Sequence, residues 1–382
     1  MGTHHKSPTL VLSSGEKLSE YLASRPHLVG DRVVKRFSLT DGQIPFLFKV
    51  LSFRKALPMQ IHPDKMTAER LHAEQPDVYA DANHKPEMAL ALSPFSAMCG
   101  FLPVVQIASY LQAVPEFSAL VPKVIADQLI SIVSSSRSEV REKGALRDLF
   151  SAFLTADVKD VKVQLDRLVQ RYRAGNYSEE EEKVKDLVLK LSEMYPGDNG
   201  VFCAFLLNYL ELQPGQAICV VAGEPHAYVM GDIIECMATS DNVIEAGFTS
   251  GVKDISNFVS GLQYNLSSGR TRIFKPTPLT RPGSFGGGTL VYDPPIDELA
   301  VMQVVVGKGK SEKHPGLRGP SIAIVLDGHG SVEWAAGDRS MEGRMDMELG
   351  RGDTIFIGQG VEVNFSASVS DLRVYRAYVE AE

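Results

Sequence analysis

The chain has 382 residues, 44% hydrophobic and 23% charged, enough to bury at least one large core and to divide into two or three packed units. Its 39 basic residues against 47 acidic give a net charge of −8 with no basic block, which excludes nucleic acid and anionic membranes as partners. No apolar run reaches the ~18 residues of a bilayer span, MGTHHKSPTLVLSSGEKL lacks a signal peptide's apolar core, and Cys99, Cys203, Cys219 and Cys236 are scattered without C-x-x-C spacing, so a cytoplasmic protein with buried free thiols is expected.

The run IPFLFKVL (44–51) is continuous and apolar apart from Lys49, and ALPMQIHP (56–63) follows after a short break; both read as buried strands. EMALALSPF (87–95) is a third, after the loop DVYADANHKP, with a helix-like insert near TAERLHAE. Over 105–195 the period becomes helical: Val161, Leu165, Leu168 and Tyr172 share one face, as do Val184, Leu187, Val188 and Leu191, and Ser178 with Glu181 spells a capping box. This helical unit closes at the turn PGDNG (196–200). Strands return to about Leu262, punctuated by QPGQ and AGEP. A Gly-, Pro- and Ser-rich stretch from Ser267 to Pro295 then reads as a surface connector. The strands ELAVMQVVV, SIAIVLDGHGSVEW, DTIFIGQGVEVNFSA and LRVYRAYV complete a second β unit, a barrel or sandwich. The expected division is 1–103 and 201–264 as two parts of one β unit, 104–200 as an α-helical insert, and 265–382 as connector and second β unit.

Chemistry-bearing residues fall in pairs two apart. Gln60 with His62, Lys85 with Glu87, and His226 with Tyr228 each leave one face of a strand together, so Gln, His, Glu and His could meet at one divalent metal. The competing reading is a set of satisfied core and loop polar residues, because glutamine is an uncommon ligand and Glu87 lies far from His226 in sequence. In the C-terminal unit no comparable set stands out: His329 is alone in a DGHG turn and His314 reads as part of a charged loop.

The strings IPFLFKVLS, QIHPDK, NHKPEMALAL, GEPHAY, GDIIECMATSDNV and AGFTS, in that order and followed by YDPP, GPSI and VYRA, resemble type I phosphomannose isomerase over nearly the whole chain. The resemblance implies a mainly β protein of tandem cupin (jelly-roll) barrels with an inserted α-helical domain, the second barrel free of metal. It implies a zinc-dependent aldose–ketose isomerase that interconverts mannose 6-phosphate and fructose 6-phosphate through an enediol. One zinc ion per chain would be held by Gln60, His62, Glu87 and His226. A Lewis acid suits an oxygen that becomes negative as the proton moves between C1 and C2, and a partly buried carboxylate suits the proton transfer. Glu235 is the candidate base, against a solvent-facing strand acid. Lys85 would stabilise the developing oxyanion or bind a sugar hydroxyl, against a structural salt bridge. Tyr228, against a packed tyrosine, and Lys49 would bind substrate. The partner is a small sugar phosphate and the chain is expected to be a monomer.

Two departures from the family pattern stand out. The family continues upstream of MGTH with further strands, so either this sequence begins late or edge strands are lost and a β-edge with unpaired backbone groups is expected here. In SDNVIEAGFTSGVKD (240–254), Glu245 and Gly251 occupy positions where family members carry arginine and usually lysine, with Lys49, Lys65 or Lys253 available to compensate. These departures leave two competing functions open: a catalytically impaired paralogue with a binding or regulatory role, and an isomerase for a less anionic sugar.

Overall fold

The computed structural model describes residues 1–40, 42–134, 138–251, 253–266, 273–335 and 344–382. Two short helices, α1 (Leu18–Ala23) and α2 (Asp31–Arg36), precede the first barrel. That barrel comprises β1 (Phe46–Phe53), β2 (Met59–Ile61), β3 (Glu87–Ala91), β4 (Phe95–Phe101), β5 (Leu207–Leu212), β6 (Ala217–Val220), β7 (His226–Ala238), β8 (Ile244–Gly247) and β9 (Ile273–Phe274), with α3 (Lys65–Glu74) between β2 and β3.

The thirteen-residue β7 organises it. Its first half pairs with β2 and β4, placing His226 opposite both Gln60 and Cys99; its second half pairs with β1 and β3, placing Glu235 opposite Lys49 and Ala89. The halves are divided at Gly231, whose φ of +138° and whose missing Cβ, which would sit 2.9 Å from Phe95 Cα and Pro94 O, let one strand serve both sheets. On its other edge β1 exchanges hydrogen bonds with Met1, whose carbonyl accepts from Phe48 N at 3.0 Å, so the edge expected to be bare is partly covered.

Both faces of these strands are buried, which is why they read as continuous apolar runs. Met59, Ile61, Met98, Ala227, Val229, Ile244 and Ala246 pack outward onto the helical insert, α4 (Val104–Ala113), α5 (Pro115–Ser118), α6 (Lys123–Ser134), α7 (Glu139–Leu154), α8 (Val158–Arg173) and α9 (Glu179–Met194). Phe46, Phe48, Met88, Leu90, Ile234 and Cys236 pack outward onto α1, α2 and the second barrel. Facing inward are small residues, Ala89, Ala91, Ala97 and Cys99, which leave room inside the barrel for chemistry. Three of the four cysteines are buried and Cys219 is half-buried; none of the four forms a disulfide.

In the insert, the stripes expected on α8 and α9 are buried, and Ser178 and Glu181 form the capping box. Glu181 also meets Arg171, which holds Glu116 by two bonds of 2.8 Å. Arg171→Ala is expected to cost about 3–5 kcal/mol in urea unfolding, because it strands two buried carboxylates, whereas Glu179→Lys on the exposed side should change stability by less than ~0.5 kcal/mol.

The Ser267–Pro295 stretch is more regular than a surface connector. Residues 267–272 lie outside the described residues, but the rest supplies β9 to the first sheet and β10 (Thr277–Pro278) and β11 (Thr289–Tyr292) to the second barrel. The β-branched and aromatic residues of TLVY override the surrounding glycines once β12 offers an edge to pair with. The second barrel adds β12 (Ala300–Val306), β13 (Ser311–His314), β14 (Ser321–Asp327), β15 (His329–Ala335), β16 (Arg344–Gly350), β17 (Thr354–Ile357), β18 (Val363–Ser366) and β19 (Leu372–Tyr378), in sheets ordered β10-β11-β12-β19-β14-β17 and β13-β18-β15-β16.

His314 corrects the sequence reading: it ends a strand and is fully buried, on the same face as the buried Glu312, with Lys313 between them on the opposite face of β13. Arg376, also fully buried, donates to His314 Nδ1 (3.2 Å) and Ser321 Oγ (2.9 Å). His314 Nε2–H donates to Thr289 Oγ1 (2.9 Å), whose hydroxyl donates to Glu312 (3.0 Å). Burial, and after it Arg376, lower the His314 pKa to about 3. The native state therefore binds fewer protons than the unfolded chain between about pH 3 and 6.5, and stability falls as pH drops through that window. At pH 5 the loss is about 2 kcal/mol. His314→Gln, which can still bridge Arg376 and Thr289, should flatten this part of a pH–stability profile; an unchanged slope would refute the assignment.

Candidate active site and metal centre

His226 opens β7 with Tyr228 two residues further along the same strand, whereas Glu87 opens β3 with Lys85 before it and His62 directly follows β2, so two of the three pairs read from the sequence straddle a strand end. Because the halves of β7 belong to different sheets, His226 and Glu87 face each other across the barrel interior. Ligand atoms of His62, Glu87 and His226 all lie within 4.8 Å of one another, and all three side chains are buried. Gln60 stands opposite His226 in the ladder and so projects from the same face.

Each imidazole is oriented from behind. His62 Nδ1–H donates to the Asn242 carbonyl (2.8 Å) and His226 Nδ1–H to the Glu224 carbonyl (3.0 Å), leaving both Nε2 lone pairs aimed inward. Among the described residues neither Nε2 has a hydrogen-bond partner, although Glu87 Oε1 lies 3.2 Å from that of His62 and Oε2 lies 3.8 Å from that of His226. Two bare nitrogens and a carboxylate converging without a proton between them repel one another unless a cation sits among them. Two imidazoles, one carboxylate and an adjacent carboxamide suit zinc with a position left open, so the residues present fit that ion.

The electrostatics agree. Burial alone would raise the Glu87 pKa, but Lys85 (Nζ to Oε1 3.1 Å) and the two imidazoles outweigh it and hold the carboxyl well below the usual range. Burial, and after it His62, push His226 down to about 3, which keeps it neutral and able to ligate. Tyr228 donates to Glu87 Oε2 (3.3 Å) and packs on Phe95 and Phe53 at 5.4 and 6.3 Å between ring centroids; burial and Glu87 raise its pKa well above normal.

Glu235 is buried rather than solvent-facing, and its pKa is raised by burial first and by Glu87 second, while Lys49 Nζ holds its Oε2 at 2.9 Å. A carboxylate with raised proton affinity on the same inward face as the triad is suited to take up and return a proton.

Glu245 is half-buried on β8, opposite Gln60, and so faces the same interior. Among the described residues no cation pairs with it. Lys253 is held by Asp198 (3.0 Å) and Asn199 (3.1 Å), Lys49 by Glu235, and Lys65 by Asn83 (3.1 Å). Gly251 is exposed, and a Cβ there would lie 3.5 Å from Glu245 Oε2. The carbonyls of Asn242 and Glu224 and the rings of Phe53 and Phe95 were missed in the sequence. The motifs SDNV and GEPHAY contain the first two, but backbone acceptors carry no side-chain signal.

Residues 1–104 match the profile described as phosphomannose isomerase type I, catalytic domain, and residues 120–207 that of the helical insertion domain of the same family. The chain is 42% identical to the mannose-6-phosphate isomerase of Cryptococcus neoformans, covering 100% of this chain and 89% of that protein. It is 38% identical to that of Schizosaccharomyces pombe, with the same coverage. Among solved structures, a point mutant of phosphomannose isomerase from Salmonella typhimurium superposes with a TM-score of 0.80 at 27% identity, covering all of this chain and 90% of that one. A zinc-bound mannose 6-phosphate isomerase gives 0.78 at 27% with the same coverage. Sequence likeness over the full length, the barrel with its helical insert and the buried His–Glu–His cluster together place this chain in the type I phosphomannose isomerase family.

Proposed function

We propose that the chain is a zinc-dependent aldose–ketose isomerase that interconverts mannose 6-phosphate and fructose 6-phosphate inside the first barrel. The observation that carries this is the convergence of two proton-free imidazole nitrogens and Glu87 beside a proton-accepting Glu235. His62, Glu87, His226 and Gln60 would hold zinc, which when bound would supply Lewis acidity for the proton transfer between C1 and C2. Lys49 occupies Glu235 Oε2, so Oε1 is the oxygen that takes the proton from one carbon and returns it to the other. Lys85 lends positive charge to the oxygen that becomes negative during the transfer. Tyr228, braced by Phe53 and Phe95, forms an apolar wall that excludes water from the carbanionic carbon.

The test is a coupled assay for conversion of fructose 6-phosphate to mannose 6-phosphate by the zinc-loaded protein, with Glu235→Gln as the base-less control. Turnover that survives in the control at full rate would remove Glu235 from the mechanism. One observation favours a second reading, a slow isomerase or one for a less anionic sugar: the unpaired Glu245 carboxylate on the inward face. Comparing mannose with mannose 6-phosphate in the same assay separates the two readings. We also propose a cytoplasmic monomer. Four cysteines outside any disulfide favour a reducing compartment, and sedimentation at the chain mass of 41.7 kDa is the expected result.

A further inference from the structure

Lys85 is delivered to the site by the loop Asp81–Pro86, and most of that loop is tied to its own barrel. The Asp81 carboxylate accepts from Asn83 N (2.9 Å), Ser240 Oγ (2.9 Å) and Asp241 N (2.7 Å). Asn83 Nδ2 donates to the Thr239 carbonyl (3.0 Å), and Ala238 N donates to the Pro86 carbonyl (3.1 Å). His84 is different. Its Nε2 meets Glu298 Oε1 at 2.7 Å, and Glu298 lies between β11 and β12, in the second barrel. The segment carrying Glu298 is itself fixed. Leu299 is fully buried in the core shared by the two barrels, and Asp297 pairs with Arg36 of α2.

The second barrel thus grips the loop one residue before Lys85, whose backbone Pro86 confines to extended conformations. The ammonium of Lys85 then reaches Glu87 Oε1 at 3.1 Å. With residue 84 released, the Lys85 backbone is anchored by Pro86 on one side and, on the other, only from two residues away, where the Asn83 carbonyl accepts from Ser240 Oγ (3.1 Å) and Asn242 Nδ2 (2.8 Å), and small displacements of a group that stabilises developing charge are costly.

We infer that Glu298 is a positioning residue for the isomerisation: through His84 it holds the backbone that presents Lys85 to the substrate. This rests on the reading of Lys85 as the substrate-facing cation. The expected result for E298A is a fall in kcat on the order of tenfold with little change in KM, and E298Q should recover most of it because its amide oxygen accepts the same bond from His84. In a K85A background E298A should cost nothing further. Amide hydrogen exchange should quicken at residues 82–88 in E298A and stay unchanged at 354–357. Equal losses from E298A in both backgrounds, or an unaltered kcat, would overturn the inference while leaving Lys85 in place. A K85A enzyme as fast as wild type would remove the reading of Lys85, and this inference with it.

Discussion

Replacing Glu245 with arginine is expected to raise kcat/KM for mannose 6-phosphate by roughly 10²-fold. Glu245 faces the barrel interior beside Gln60, and Lys253, Lys49 and Lys65 are each engaged elsewhere. At ~6 Å and an effective dielectric of ~20, one unit-charge pair is worth roughly 2.8 kcal/mol, so reversing the charge spans about twice that before screening, and the roughly half that survives in a half-open site corresponds to the ~10²-fold. Glu245→Gln should recover only part of the gain, and added salt should narrow the gap between variants because the site is half open to water. A wild-type enzyme unhindered by Glu245, with the arginine variant neutral or worse, would show that the phosphate is held away from this strand.

The second large effect is at His226. His226→Ala should lower bound zinc from about one ion per chain toward none and reduce turnover on the order of 10³-fold, since the loss leaves only His62, Glu87 and the weak donor Gln60. Metal analysis after dialysis reads the first outcome and the coupled assay the second. Gln60→Ala should release zinc less completely, because a neutral carboxamide oxygen is the weakest donor of the set. If the His226 variant kept zinc at full stoichiometry, the ion would have to be bound elsewhere.

Much of this was legible in the sequence. The helical faces of α8 and α9 and the capping box at Ser178 followed from period and local chemistry alone, because a surface helix must bury one stripe. The strands of the first barrel were recognisable as strands, yet their pairing was not, since burial on both faces erases the alternation that marks an inner side. For the same reason the meeting of Glu87 with His226 could be offered only as one option beside satisfied polar residues until the likeness to a family weighed in. The His314 assignment failed because a charged-looking run does not reveal that Glu312 and His314, two apart on a strand, share the buried face and leave Lys313 on the other. The Glu298–His84 contact joins residues 214 positions apart and had no local signature at all.

The pairing pattern of the first barrel bears on how the protein is made. β1, β2, β3 and β4 do not pair with one another: each finds its partners among β5 to β8, all of which follow the helical insert. On a ribosome adding about 5–20 residues per second, four apolar strands therefore wait on the order of ten seconds, while the insert is synthesised, before β7 emerges to receive them. During that interval their edges are open to other chains, and no zinc site can exist, since His62 and Glu87 lie on one side of the gap and His226 on the other. Strand order alone thus gives the nascent chain an interval of exposure that the stability of the finished fold does not shorten.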